Sequence, residues 1–165
     1  MMMALSESEF ITRFGGIYEH SPWVAEETAA IAADLGDMER IAELMADCVD
    51  NASVDRQLTL IRAHPDLAGK AQVAGELTEE SMTEQSSAGL AQCSAEEYEQ
   101  FQSLNRDYRE KFGFPFVMAV RDSSRADILA SFESRLGNDP DSEFETALAE
   151  IHKIAALRLG AMEAG

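Results

Sequence analysis

His64 is followed by Pro65-Asp66-Leu67-Ala68-Gly69-Lys70, and a little further on comes Ser81-Met82-Thr83-Glu84-Gln85. In no other stretch of comparable length do several chemically useful groups converge. Imidazole exchanges protons near neutral pH. Proline disfavours helical backbone in the residue before it, so His64 sits where a helix must stop. Ser81, Glu84 and Gln85 are spaced i, i+3 and i+4, so a helix presents them on one side. Glu84 can accept hydrogen bonds or a proton, while Ser81 and Gln85 can both donate and accept. The same spacing also describes the solvated polar face of an acidic helix, and a lone histidine also suits a packed interior. Residue chemistry leaves both readings open.

A third segment, Phe114-Pro115-Phe116-Val117-Met118-Ala119-Val120, is short and apolar. Proline inside it and the lack of a partner strand predict an ordered loop rather than a strand. It is either buried core or the wall of a pocket whose backbone groups are available to a ligand. Other chemistries fit poorly. His20, His64 and His152 are scattered, with no HExxH, so no metal site is expected. Gly15-Gly16 lies in a helical pattern without a phosphate-binding motif. A Ser81–His64–Glu84 triad lacks the GxSxG elbow that would expose the hydroxyl.

Helices must position these groups. Ser6 with Glu9 has capping-box spacing, and Phe10, Phe14 and Ile17 follow at helical intervals. Ser21-Pro22 places a capping hydroxyl before a proline at the first helical position, with Gly36 as a stop. Met38 to Val49 carries one apolar stripe, and Ser53 opens a helix that Pro65 ends. Thr78 opens another to about Leu90. Ser94 with Glu97 starts a long helix that Gly113 closes. Ser124 caps a helix ending at Gly137, and Ser142 with Glu145 caps the last one, to about Gly160. The expectation is an all-α protein: one domain over residues 1–165, a bundle of about seven to eight helices with ordered connecting loops.

The 165 residues, 45% of them hydrophobic, suit a single core. Acidic residues number 31 against 13 basic ones, a net charge of -18. Such a surface repels phosphate backbones and anionic lipids, so neither nucleic acid nor a membrane is an expected partner. Cys48 and Cys93 form no CxxC pair and are expected to be buried free thiols. No signal peptide, membrane span or peroxisomal tripeptide is visible, which predicts a cytoplasmic location.

The chain resembles the 2-oxo-4-hydroxy-4-carboxy-5-ureidoimidazoline (OHCU) decarboxylases. Five segments carry the resemblance in order: Tyr18–Val24, Ile61–Lys70, Ser81–Leu90, Asn105–Phe116 and Glu150–Leu159. It implies an all-helical homodimer that decarboxylates OHCU to (S)-allantoin in urate degradation, with no cofactor. It implies His64 as the catalytic acid. Pro65, Ser81, Met82, Thr83, Glu84, Gln85, Phe116, Val117, Met118, Ala119 and Val120 match its substrate-binding positions, and Arg158 matches an arginine near the substrate. Glu84 would share the catalytic work by orienting ring or ureido N–H groups. An anionic substrate is a poor long-range match for so acidic a chain, so Arg158 is the local cation expected to contact it. Otherwise Arg158 complements the last carbonyls of its helix. A non-enzymatic helical binding module would instead show no turnover and a partner on Phe114–Val120. A serine hydrolase would be trapped at Ser81.

Overall fold

Serine hydroxyls decide where several helices begin. In the computed structural model, which describes residues 6–31, 38–64, 66–67, 83–85, 94–120 and 123–164, Ser6 accepts the Glu9 N–H and opens α1 (Glu7–Phe14). Then come α2 (Trp23–Ile31), α3 (Met38–Asp50) and α4 (Val54–Arg62), the last opened by Ser53 accepting the Arg56 N–H. Ser94 and Glu97 form the expected capping box at the start of α5 (Ala95–Phe112). Gly113 closes α5 with φ 78°, a left-handed conformation that glycine adopts without a Cβ clash. Ser124 pairs with Asp127 in a second capping box and opens α6 (Arg125–Leu136). The last helix, α7, spans Pro140–Ala164. Residues 83–85 are also helical, and the described residues contain no strand, so the molecule is all-α.

Several boundaries differ from the sequence expectation. α7 starts before Ser142, because Asp139-Pro140 is a stronger start: Asp139 accepts the Ser142 N–H at 3.2 Å, and Pro140 needs no N–H partner at the first helical position. It also runs past Gly160, since a single interior glycine costs only about 1 kcal/mol against alanine. Ser21 does not cap α2; its buried hydroxyl donates back to the Glu19 carbonyl at 2.9 Å. α1 stops at Phe14, leaving Ile17 buried in the turn beyond. Cys48 is a free thiol but only half-buried, with its sulfur 3.4 Å from the Thr28 hydroxyl. Gly36, Thr78, Leu90 and Cys93 lie outside the described residues.

The chain forms two compact units, one of Met1–Ala63 with Ile151–Gly165 and one of His64–Glu150. In the first, α1 packs on α2 and α2 on α3. Its core is built by helical periodicity: Phe10 and Phe14 on α1, Ile41, Met45 and Val49 on α3, and Ile154 and Leu159 on α7 are all buried. Tyr18 Oη lies 2.8 Å from His152 Nδ1, and His152 Nε2 lies 3.0 Å from Asp50 Oδ1. Burial first, then the Asp50 charge, hold the Tyr18 hydroxyl well above its usual range. It therefore stays protonated, and the two ring nitrogens of His152 bridge this hydroxyl and the Asp50 carboxylate.

The second unit is aromatic. Tyr108 on α5 packs against Phe112, Phe114, Phe116 and Phe132 at centroid distances of 4.5 to 5.9 Å. Phe116 and Phe132 stack at 3.9 Å. Beside them lies a fully buried carboxylate, Glu143. Arg135 on α6 donates to it through Nε and Nη2, and Tyr108 and Asn138 donate as well. Burial alone would push the Glu143 carboxyl up, but these donors and the Arg135 charge bring it below its usual range.

Candidate active site

His64 follows Ala63, the C-cap of α4, and is 7% exposed. The turn just beyond it is held at two backbone carbonyls and one side chain, all by side chains of the second unit. Gln85 Nε2 donates to the Asp66 carbonyl at 3.4 Å. Asn105 Nδ2 donates to the Leu67 carbonyl at 3.0 Å. Arg109 places Nε and Nη2 on Asp66 Oδ1 at 2.9 and 2.8 Å. Asn105 and Arg109 are four apart on α5, so one side of that helix faces the 66–67 turn. Gln85 ties the polar helical segment to the histidine segment. Of that segment, Thr83 is exposed, Glu84 half-buried and Gln85 buried. Pro65, Ser81 and Met82 lie outside the described residues.

The Phe116–Val120 segment is an ordered loop, as expected. Phe116, Val117 and Val120 are buried, and Met118 and Ala119 are half-buried. Arg135 donates to the Val117 carbonyl at 2.7 Å and lies over the Phe116 ring at 4.3 Å. Glu150 accepts the Ala119 N–H at 3.1 Å, and the Val120 carbonyl accepts from Ser123 at 3.0 Å. α5 serves both segments: Asn105 and Arg109 hold the turn after His64, while Tyr108 packs on the Phe116 ring. His64, Glu84, Gln85 and Phe116–Val120 thus belong to one unit.

Arg158 belongs to the other unit. It is 6% exposed, and Nη2 donates to Glu19 Oε2 at 3.0 Å, while Nη1 reaches the Ile17 and Gly16 carbonyls at 3.3 and 3.4 Å. Its charge is therefore matched by a buried carboxylate, and its carbonyl partners belong to the 16–17 turn. The sequence reading assigns no role to Glu19, Asn105, Arg109, Arg135, Glu143 or Glu150, although the first three and the last stand in the segments that carry the resemblance. The i, i+4 spacing of Asn105 and Arg109 was a signal for the second and third of these. Among the described residues, no three His, Cys, Asp or Glu side chains gather as a metal site, and no helix is long and apolar enough to cross a membrane.

Fold and site together define an all-helical protein with a buried histidine and a helix-anchored loop that displays backbone groups. The profile of the OHCU decarboxylase family matches residues 3–160, and the chain belongs to that family. It is 46% identical over 155 residues to the 2-oxo-4-hydroxy-4-carboxy-5-ureidoimidazoline decarboxylase of Haloferax volcanii, covering 94% of this chain and 89% of that protein. It is similar in structure to a crystal structure of (S)-allantoin synthase, with a TM-score of 0.75 and 35% identity over 94% of this chain and 50% of that one. A crystal structure of OHCU decarboxylase in the presence of (S)-allantoin shares the fold, with a TM-score of 0.70 and 24% identity over 87% of this chain and 92% of that one.

Proposed function

We propose how this carboxy-lyase, which decarboxylates OHCU to allantoin in urate degradation, carries the reaction out. Loss of CO2 leaves electron density that the ring system must delocalise and a proton must quench on one face. His64 mediates the proton transfers, including that delivery, which sets the (S) configuration. Glu84 orients ring or ureido N–H groups and polarises the hydroxyl beside the departing carboxylate. Ser81 and Gln85 hold the remaining polar edge, together with Pro65, Met82 and Thr83. Backbone groups of Phe116–Val120 bind the rest, so that one face of the substrate meets the histidine.

The observation that supports this reading best is the bond from Gln85 to the Asp66 carbonyl. It joins the two polar segments two residues past a buried imidazole. Arg158 is proposed to meet the substrate carboxylate while sharing its charge with Glu19. The chain is further proposed to work as one catalytic domain, without a cofactor, as a cytoplasmic homodimer.

His64→Asn tests the assignment, since asparagine stays polar but exchanges no proton. We expect kcat on freshly generated OHCU to fall by about 10²- to 10⁴-fold, with racemic allantoin from spontaneous decay replacing the (S) product and the circular dichroism spectrum unchanged. Unchanged rate and handedness would remove His64 from the mechanism.

A further inference from the structure

Residues 117–119 are fixed at two atoms by two different helices. Arg135 on α6 donates to the Val117 carbonyl at 2.7 Å, and Glu150 on α7 accepts the Ala119 N–H at 3.1 Å. A trans peptide unit is planar, with its C=O and its N–H pointing in opposite directions. Fixing the Val117 carbonyl therefore fixes the Met118 N–H, pointing away from Arg135. Fixing the Ala119 N–H fixes the Met118 carbonyl, pointing away from Glu150. Met118 is half-buried, and among the described residues neither of its backbone groups has a hydrogen-bond partner. Strand pairing and helix ladders are the usual destinations of such groups. Here two side chains orient the peptide planes and leave the residue between them unpaired.

We infer that Arg135 and Glu150 are positioning residues: they lock the two peptide planes flanking Met118, so that its N–H and C=O form a donor–acceptor pair for the uncharged –CO–NH– edge of a ureide. This rests on the reaction proposed above, whose substrate carries such edges on its ring and its ureido arm. Arg135 is itself preset. Its Nε and Nη2 are committed to Glu143, and its guanidinium lies over Phe116, which leaves Nη1 aimed at Val117.

Glu150 is half-buried on a helix and can be replaced without opening the core. Glu150→Ala and Glu150→Gln are compared with the parent chain by amide hydrogen exchange at Ala119 and by steady-state kinetics on OHCU. An interaction made equally with substrate and transition state appears in KM, so Glu150→Ala should raise KM about tenfold and leave kcat within about threefold. Exchange at Ala119 should speed up about tenfold or more once the N–H loses its acceptor. Glu150→Gln keeps an oxygen acceptor and should restore slow exchange and most of the parent KM. Fast exchange with an unchanged KM in Glu150→Ala would overturn the positioning role, as would a Gln variant no better than Ala. Unchanged exchange in Glu150→Ala would overturn the bond itself. A parent chain that fails to turn over OHCU would overturn the proposed reaction, whereas the exchange result would still decide whether Glu150 holds the peptide.

Discussion

Asn105 has its amide nitrogen on the Leu67 carbonyl and its amide oxygen buried with no partner among the described residues. Hydrogen bonding fixes that orientation, since the nitrogen is the only donor the side chain has. Asn105→Ala should cost about 1–3 kcal/mol, because a carbonyl held by a buried donor loses it. Thermal melts measure that loss. Because the Leu67 turn follows His64 closely, kcat/KM should also fall at temperatures where the variant is fully folded; an unchanged value would confine Asn105 to a stabilising part. His64 and Gln85 stood out in the sequence because their side-chain chemistry is informative by itself. Asn105, Arg135 and Glu150 did not, because their partners lie 38, 18 and 31 residues away. No local pattern encodes such a pairing.

At the scale of elements, helix starts were legible wherever a capping residue and its target lie within one turn, as at Ser6, Ser53, Ser94 and Ser124. The start of α7 shows the limit of that reading. Two overlapping signals, Asp139-Pro140 and Ser142 with Glu145, compete for one helix, and the earlier prevails because Pro140 has its φ already set. Asp139→Ala should therefore lower the denaturant midpoint, and Glu145→Ala should leave it nearly unchanged. Denaturant midpoints for the two variants check this, and the reverse ranking would restore Ser142 as the cap. Phe114–Val120 reads correctly as a loop because proline interrupts it. Its anchors come from α6 and α7, which follow it in the chain, so its own sequence holds no trace of them.

At the scale of the whole molecule, two electrostatic effects oppose each other in acid. The net charge of -18 makes the folded chain repel itself, and protonating surface carboxylates relieves that. Glu143 acts the other way. Its folded carboxyl lies below the ordinary value of 4.5, so its stabilisation is fully present above that value and is lost as pH falls toward and through the folded one. Protonation leaves Arg135 buried beside a neutral group, and breaking such a pair costs about 3–5 kcal/mol. In high salt, where surface repulsion is screened, the melting temperature should hold from neutral pH to the ordinary carboxylate range and then drop below it. A melting temperature that stays flat down to about pH 3 would show that Glu143 carries no such load. The sequence by itself determined the helical class, most helix starts, the family and the residue types able to move a proton. Those follow from capping, periodicity and side-chain chemistry, which act within a few residues. The tertiary structure alone decided which carbonyl Asn105 holds, that Glu19 matches Arg158, and that Arg135 and Glu150 orient the peptides around Met118. Each of these depends on chain segments meeting after folding, when a buried polar group must find a partner or bear the cost of lacking one.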